Sequence, residues 1–396
     1  MFHSLERSGE GLYVYQLRLV LSGKLDPVAL REAWQEIVAR YDVLRTHFAW
    51  QHGGEVLQIV RRQVVLPFVF RDWHGLVDYD QRFEAFRRED IAIGFDLADP
   101  PLLRVHVIAR PDGAHDLVWT MHHAISDGWS SARIVDEVIA SYRARIAGEQ
   151  AESRPVVPYR NYIEWLVSRP SVEQWWKAAL ASLVDPARLL SSLGRPCAPE
   201  PGTHHRHDQL APELGQRVQE LAKRCEVTIS TVMQAAWGVV LGRYGNRQQA
   251  IFGATVSGRP AEVPGALEMI GLFINAVPIP VDLPLDEPVS RWLRKLQHFA
   301  NELRLREQTP LSDLQRWSGL QGDAFFDTLL VFENFPVDLQ ARSVDVGLRI
   351  ERSERADRTH YPLTLTIEVS SRIELEWEWD GQRVDRERVA WLSQHY

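Results

Sequence analysis

The sequence predicts a mixed α/β protein (α+β sandwich lobes) in two parts, and three observations carry that prediction. At 396 residues the chain is longer than one hydrophobic core usually serves, so two domains or lobes are expected. Segments with strand-like alternation and segments with helical spacing follow one another from end to end. Two polar, proline-punctuated stretches, 148–158 and 194–202, bracket a helical segment containing Trp165, Trp175 and Trp176. The expected organisation is an N-terminal lobe over 1–160, a bridging helical segment over 161–202 and a C-terminal lobe over 203–396.

Taken in order, YVYQLRLVL (13–21) puts Tyr13, Tyr15, Leu17, Leu19 and Leu21 on one face of a half-buried strand. Asp26 is placed to cap a helix with Pro27 at its first position, and Leu30, Ala33, Trp34, Ile37 and Tyr41 recur at helical spacing. LLRVHVIAR (102–110) and DLVWTMHH (116–123) flank Pro111-Asp112-Gly113 and read as a hairpin. After Gly128 the period changes, and Ile134, Val135, Val138, Ile139 and Tyr142 mark a helix that stops near Gly148. In the second half a helix over 228–243, with Ser230 as its cap, precedes the strand IFGATV (251–256). INAVPIPV, FDTLLVFEN, PLTLTIEV and RIELEWEW follow as strands. The last points Ile373, Leu375, Trp377 and Trp379 inward and leaves Glu374, Glu376 and Glu378 on the solvated side. The tryptophans at 165, 175 and 176 are expected to pack in a core rather than to form a partner surface.

Composition excludes several classes. The chain is 45% hydrophobic and 25% charged, with a formal net charge of -8 and a pI near 6.0, and its arginines form no basic stripe, so nucleic acid is not an expected partner. Cys197 and Cys225 have neither metal-ligand spacing nor disulfide density, which fits a reducing cytoplasmic setting. No run of 18 apolar residues occurs, and MFHSLERSGEG lacks the regions of a signal peptide, so no membrane association is expected.

Chemistry concentrates in MHHAISDGWSS (121–131), where a strand gives way to a helix. Adjacent strand residues face opposite ways, so His122 and His123 have different tasks, one facing a cleft and the other the body of the domain. Asp127 is placed to cap the helix or to pair with an arginine, and Gly128 to permit a turn that other residues would strain. General acid/base work by an imidazole is the leading functional reading, and a satisfied structural histidine is the ordinary alternative that spacing alone leaves open. A metal site is not expected: diverging neighbours and the absence of a well-spaced third ligand argue against one here, and THHRHD (203–208) reads as a solvated passage. Covalent catalysis finds no G-x-S-x-G elbow and no reactive-looking cysteine.

HHAISDGWS resembles the HHxxxDG signature of the condensation domains of nonribosomal peptide synthetases, members of the chloramphenicol acetyltransferase-like superfamily. The resemblance runs along the chain in order. RYDVLRTHF (40–48) is similar to the arginine-bearing second motif, and FDLADPPLLR (95–104) and YRNYIEWL (159–166) to the segments before and after the signature. VSGRPAEVPGALEMIGLFINAVPIPV (256–281), TPLSDLQRWSG (309–319), LLVFENFPVD (329–338) and THYPLTL (359–365) are similar to the later blocks. The resemblance implies a V-shaped pseudodimer of two α/β sandwich lobes with a tunnel at the junction, open to a carrier protein at each end.

It also implies roles. His123 faces the channel where donor thioester and acceptor amine meet, and His122 is the inward, structural one. Asp127 pairs with Arg45 of the second motif, and the Gly128 backbone N–H helps polarise the thioester carbonyl. Asn275 corresponds to a position near the junction of the lobes and, with Trp129 and Ser257, is a substrate-channel candidate; Ser257 and Arg259 in VSGRP either contact substrate or make a turn at the tunnel wall. The implied reaction is amide formation between a donor aminoacyl or peptidyl thioester and an acceptor amine. Both ride on phosphopantetheine arms of upstream and downstream peptidyl carrier proteins, beside an adenylation domain in a larger multienzyme. No metal, nucleotide or redox cofactor of its own is implied. MFHSL resembles the end of the first motif and LSQHY falls short of a usual last helix, so an excised piece of a longer chain is expected. Two alternatives remain: a related acyltransferase that uses acyl-CoA or forms an ester, and a non-catalytic recruitment domain of the same fold.

Overall fold

The structure, a computed structural model, describes residues 13–50, 56–149, 155–183, 185–194, 196–284, 286–318, 325–333, 343–344, 347–357, 359–370 and 372–396. The motif-like stretches MFHSL (1–5) and FPVD (335–338) lie outside the described residues. The chain falls into two compact units that are not contiguous in sequence. The first comprises Met1–Ser168, Ala261–Phe273 and Phe335–His360; the second comprises Arg169–Pro260, Ile274–Asn334 and Tyr361–Tyr396.

The first unit is built on a six-stranded sheet in the order Ser343–Val344, Leu348–Asp357, Val14–Gly23, His115–His122, Leu103–Ala109, Phe68–Asp72. All neighbours are antiparallel except the last pair. On one face Leu17, Leu19, Leu117 and Trp119 are buried against the helices Pro27–Arg40 and Gly128–Ala147, through Leu30, Trp34 and Ile37 of one and Ile134, Val135 and Val138 of the other. Asp26 caps the first helix as expected, its Oδ1 accepting the N–H groups of Val28 at 2.9 Å and Ala29 at 3.1 Å. Each fully buried aliphatic side chain contributes about 1.5–3 kcal/mol.

The opposite face of this sheet is polar. Arg18 donates to Asp116 at 2.7 Å, Gln16 donates to Asp90 at 2.9 Å, and Arg104 reaches Asp90 at 2.7 Å. Above them lies the helix Tyr79–Ile93, whose Phe83 ring sits 4.3 Å from the Arg18 guanidinium. Buried charges persist here because each is paired and hydrogen-bonded. Burial would raise the Asp90 carboxyl, but His106, Arg104 and Thr120 together hold it well below the usual range.

The second unit carries its own six-stranded sheet, ordered Thr203–Gln209, Ile373–Asp380, Leu363–Val369, Thr328–Glu333, Gln249–Val256, Asn275–Asp282. Ile373, Leu375, Trp377 and Trp379 are buried as the alternation requires, in a core with Trp237 and Phe252. The helix Ile229–Gly245 is capped by Thr228, not Ser230. Thr228 has the extended backbone of a cap and accepts the Thr231 N–H at 3.1 Å, whereas Ser230 already lies in the first helical turn. Trp176 is fully buried and donates to Thr309 Oγ1 at 3.0 Å, and Trp175 stacks on Phe299, so both tryptophans pack in this core. Trp165 packs in a separate cluster of the first unit with Tyr162. Among the described residues no single helix is long and apolar enough to cross a membrane.

Candidate active site

His122 is the last residue of the strand His115–His122, and His123 opens the 3-10 turn that follows it. His122 is 4% exposed and its Nδ1 accepts the Ala124 N–H at 3.0 Å. Burial, reinforced by the charge of His123, lowers its pKa to about 3, so it stays neutral. The His123 N–H still donates to the Tyr13 carbonyl at 2.8 Å, after which a single 3-10 turn, His123–Ile125, lifts the chain off the sheet. Asp127 then caps the helix Gly128–Ala147, its Oδ1 accepting the Ser130 N–H at 2.8 Å.

The second oxygen of Asp127 works at longer range. It accepts the Phe273 N–H at 3.0 Å, and Ser130 Oγ both donates to the Gly271 carbonyl at 2.8 Å and accepts the Gly271 N–H at 3.1 Å. Trp129 Nε1 donates to the Leu267 carbonyl at 3.1 Å. Tyr159 donates its hydroxyl to the Leu272 carbonyl and lies so close to Gly271 that a Cβ there would stand 2.1 Å from its ring. Together these bonds fasten Ala261–Phe273 to the signature loop and to the helix Tyr159–Ser168.

Two expectations are corrected. Arg45 does not serve Asp127: its guanidinium donates to the Asp42 carboxylate and to the carbonyls of Arg61 and Arg62. It ends the 3-10 helix Asp42–Arg45, which presents Asp42 one turn back as a nearer acceptor. Gly128 is the first residue of its helix and is not one of the positive-φ glycines, so no left-handed turn requires glycine there. The left-handed residue is Gly148, at φ 72, which ends that helix.

His123 itself is held at both nitrogens. Nδ1–H donates to the Ser126 carbonyl at 3.2 Å, and Nε2 lies 3.0 Å from Asp357 Oδ2. The Tyr15 ring meets the imidazole edge-on at 5.6 Å. Burial alone would lower the His123 pKa, but the charge and hydrogen bond of Asp357, with smaller help from Ser126 and Asp127, raise it to about 9. At neutral pH the ring is therefore an imidazolium donating through both nitrogens. Asp357 escaped the sequence reading because it arrives from the far end of the chain. The only signal would have been the register that pairs it with Tyr15 across the strands Val14–Gly23 and Leu348–Asp357.

In the second unit Ser257 and Asn275 converge on one buried turn. Asn275 Nδ2 donates to the carbonyls of Glu307 at 2.9 Å and Thr309 at 2.7 Å, and Ser257 Oγ stands 3.4 Å from Glu307 Oε1. Burial raises the Glu307 carboxyl. Among the described residues no cluster of three or more His, Cys, Asp or Glu side chains has metal-holding geometry.

Sheet order, helix placement and the signature loop define a chloramphenicol acetyltransferase-like α/β protein. Solved structures with that fold include the X-domain from teicoplanin biosynthesis (TM-score 0.82, 21% identity, covering 98% of this chain and 90% of that one). Another is the first condensation domain of the calcium-dependent antibiotic synthetase, solved with a substrate analogue (TM-score 0.78, 18% identity, 99% and 91% covered). The family profile described as the condensation domain matches residues 1–396, and the chain belongs to that family. It is 34% identical over 401 residues to a linear gramicidin synthase of Brevibacillus parabrevis, covering 97% of this chain and 8% of that protein. It is 35% identical over 384 residues to chondramide synthase cmdD of Chondromyces crocatus, covering 96% of this chain and 10% of that protein. The chain therefore spans a small part of these relatives' length.

Proposed function

We propose that this chain joins a donor aminoacyl or peptidyl thioester to an acceptor amine, both held on phosphopantetheine arms of carrier proteins, to form an amide. The carrying observation is the orientation of His123. The Ser126 carbonyl occupies Nδ1, which leaves Nε2, paired with the half-exposed Asp357 in the resting protein, as the nitrogen that can serve a reactant. Membership of an acyl-transferring family supports the same reaction class.

Little covalent chemistry is asked of the protein. Aligning two tethered substrates replaces a bimolecular encounter with an intramolecular one, worth about 7–11 kcal/mol at best. His123 Nε2 assists the attacking nitrogen and returns a proton to the leaving thiolate, a role worth about two to four powers of ten in rate. His122, neutral and bonded to Ala124, and Asp127, bonded to Ser130 and Phe273, hold the loop that positions it. Gly128 offers a backbone N–H to the developing oxyanion, and Trp129, Ser257 and Asn275 contribute to substrate walls. Upstream and downstream carriers and an adenylation domain are the proposed neighbours in a cytoplasmic multienzyme.

The test is to load two carriers with small aminoacyl groups, mix them with wild type and His123→Ala, and follow dipeptidyl-carrier formation by intact-protein mass spectrometry. Product with wild type and a strong loss in the folded variant is the expected result. Transfer from free acyl-CoA without carriers, or no transfer by folded wild type across several substrate pairs, would replace this reading.

A further inference from the structure

The His123–Asp357 contact has a chemical consequence that the reaction alone does not require. An imidazolium whose Nε2–H is bonded to a carboxylate has no lone pair with which to take a proton. The base is masked in the resting protein. Asp357 is also more open than its partner: the two side chains are 44% and 12% exposed. A half-exposed carboxylate beside a nearly enclosed cation is where a second cation can enter.

We propose that Asp357 is a positioning residue that receives the ammonium group of the acceptor, and that by exchanging His123 for that ammonium as its partner it unmasks the base. This rests on the amide-forming reading above. It assigns the site a preference for a primary ammonium over an alcohol or a capped amine.

The exchange balances. The ammonium pairs with Asp357; the imidazolium, its counter-ion gone, releases a proton to water. Neutral Nε2 then takes one proton from the ammonium, and the free amine attacks the thioester carbonyl. The C–N bond forms, the C–S bond breaks, the attacking nitrogen loses a second proton to water, and His123 hands its proton to the thiolate, then takes one back from water as it pairs with Asp357 again. Thioester plus ammonium gives amide, thiol and one released proton.

The groups that face His123 suit this exchange. Asp357 comes from the strand Leu348–Asp357, Asp127 and the Ser126 carbonyl from the signature loop, and His122 from its own strand. The segment at 13–23 supplies the Tyr15 ring and, just before it, Tyr13, whose hydroxyl is 2.9 Å from His360 Nδ1 and is pushed up to about 12 by burial. His122 is neutral, and Tyr13, raised by burial, carries no charge at neutral pH. Asp357 is thus the anion in direct contact with Nε2, while both oxygens of Asp127 accept backbone N–H groups.

The experiment is histidine-selective NMR titration of the whole chain, with the His123 signal identified by its loss in His123→Gln. In wild type it is expected to titrate near 9, and in Asp357→Asn below the ordinary 6.5, because burial persists while the counter-charge is gone. Asp357→Glu is expected to recover most of the shift. Adding a non-hydrolysable aminoacyl-pantetheine amide should convert His123 to its neutral form at pH 7, and the N-acetylated analogue should not. In turnover, Asp357→Asn should raise the acceptor KM by about ten- to a hundredfold while leaving the donor KM unchanged. An unchanged titration in Asp357→Asn, or equal responses to the free and acetylated amines, would overturn the proposal. Both of these NMR readouts are independent of turnover, so a chain that makes no amide but shows them loses the amide-forming reading and keeps the ammonium site.

Discussion

One oxygen of Asp127 caps the helix Gly128–Ala147 and the other accepts the N–H of Phe273, 146 residues along the chain. The carboxylate is fully buried and bonds two backbone donors that water cannot reach. Asp127→Ala orphans both at once, and the expected loss is about 2–4 kcal/mol of unfolding free energy. Asp127→Asn keeps one accepting oxygen and should fall between. Chemical denaturation decides; wild-type stability in the alanine variant would mean that the loop is held by something else.

Gly271 is fixed by shape. A Cβ built there stands 2.1 Å from Cδ2 of Tyr159 and 2.3 Å from Cε2, and an aromatic ring has no flexible end to yield. Gly271→Ala should cost about 1–3 kcal/mol through overpacking. Tyr159→Leu removes the obstacle and also the hydroxyl bond to the Leu272 carbonyl, so it carries a cost of its own. The double variant is expected to lose less than the sum of the singles, by about 1 kcal/mol or more. Strict additivity would show that the glycine is not answering to the tyrosine.

The Arg45 arrangement makes a different prediction from the pairing expected with Asp127. Its partners are Asp42, 58% exposed at the side chain, and two loop carbonyls. Arg45→Ala should therefore cost only about 1 kcal/mol. It should also add to Asp127→Ala within about 0.5 kcal/mol, since Asp127 bonds Ser130 and Phe273 instead. A strong coupling measured by thermal or urea unfolding would restore the direct pair.

Much of this was legible, and the residues show why. The strand end at His122 was legible, because a two-residue period is a local property of the backbone, whereas the 3-10 turn that His123 opens was not. Asp26-Pro27 and Gly148 marked helix ends through local capping chemistry. What was not legible depends on chain segments meeting from a distance. Nothing near Asp357 announces that it faces His123, since that follows from a cross-strand register with Tyr15. Likewise the exchange of Ala261–Phe273 into the first unit, and the fastening of that segment by Ser130 and Asp127, follow from no periodicity. Arg45 misled for the opposite reason: a neighbour three residues away outcompetes a remote one.

The two signature histidines pull stability in opposite directions with pH, and the signs follow from their shifts. His123 is raised from 6.5 to about 9, so the folded state holds its proton more tightly than the unfolded chain. Its contribution is complete below 6.5 and is lost as pH rises through 9. His122 is lowered from 6.5 to about 3, so its contribution is present above 6.5 and fades as pH falls towards 3. The pair therefore favours a stability maximum near 6.5, with a limb on each side. Unfolding free energies measured by urea across that range should show both. In Asp357→Asn the alkaline limb should flatten, because the buried imidazole then keeps only the smaller help of Ser126 and Asp127, while the acid limb set by His122 persists. If the alkaline limb keeps its slope in that variant, another group is releasing the proton, and Asp357 is not what holds His123 charged.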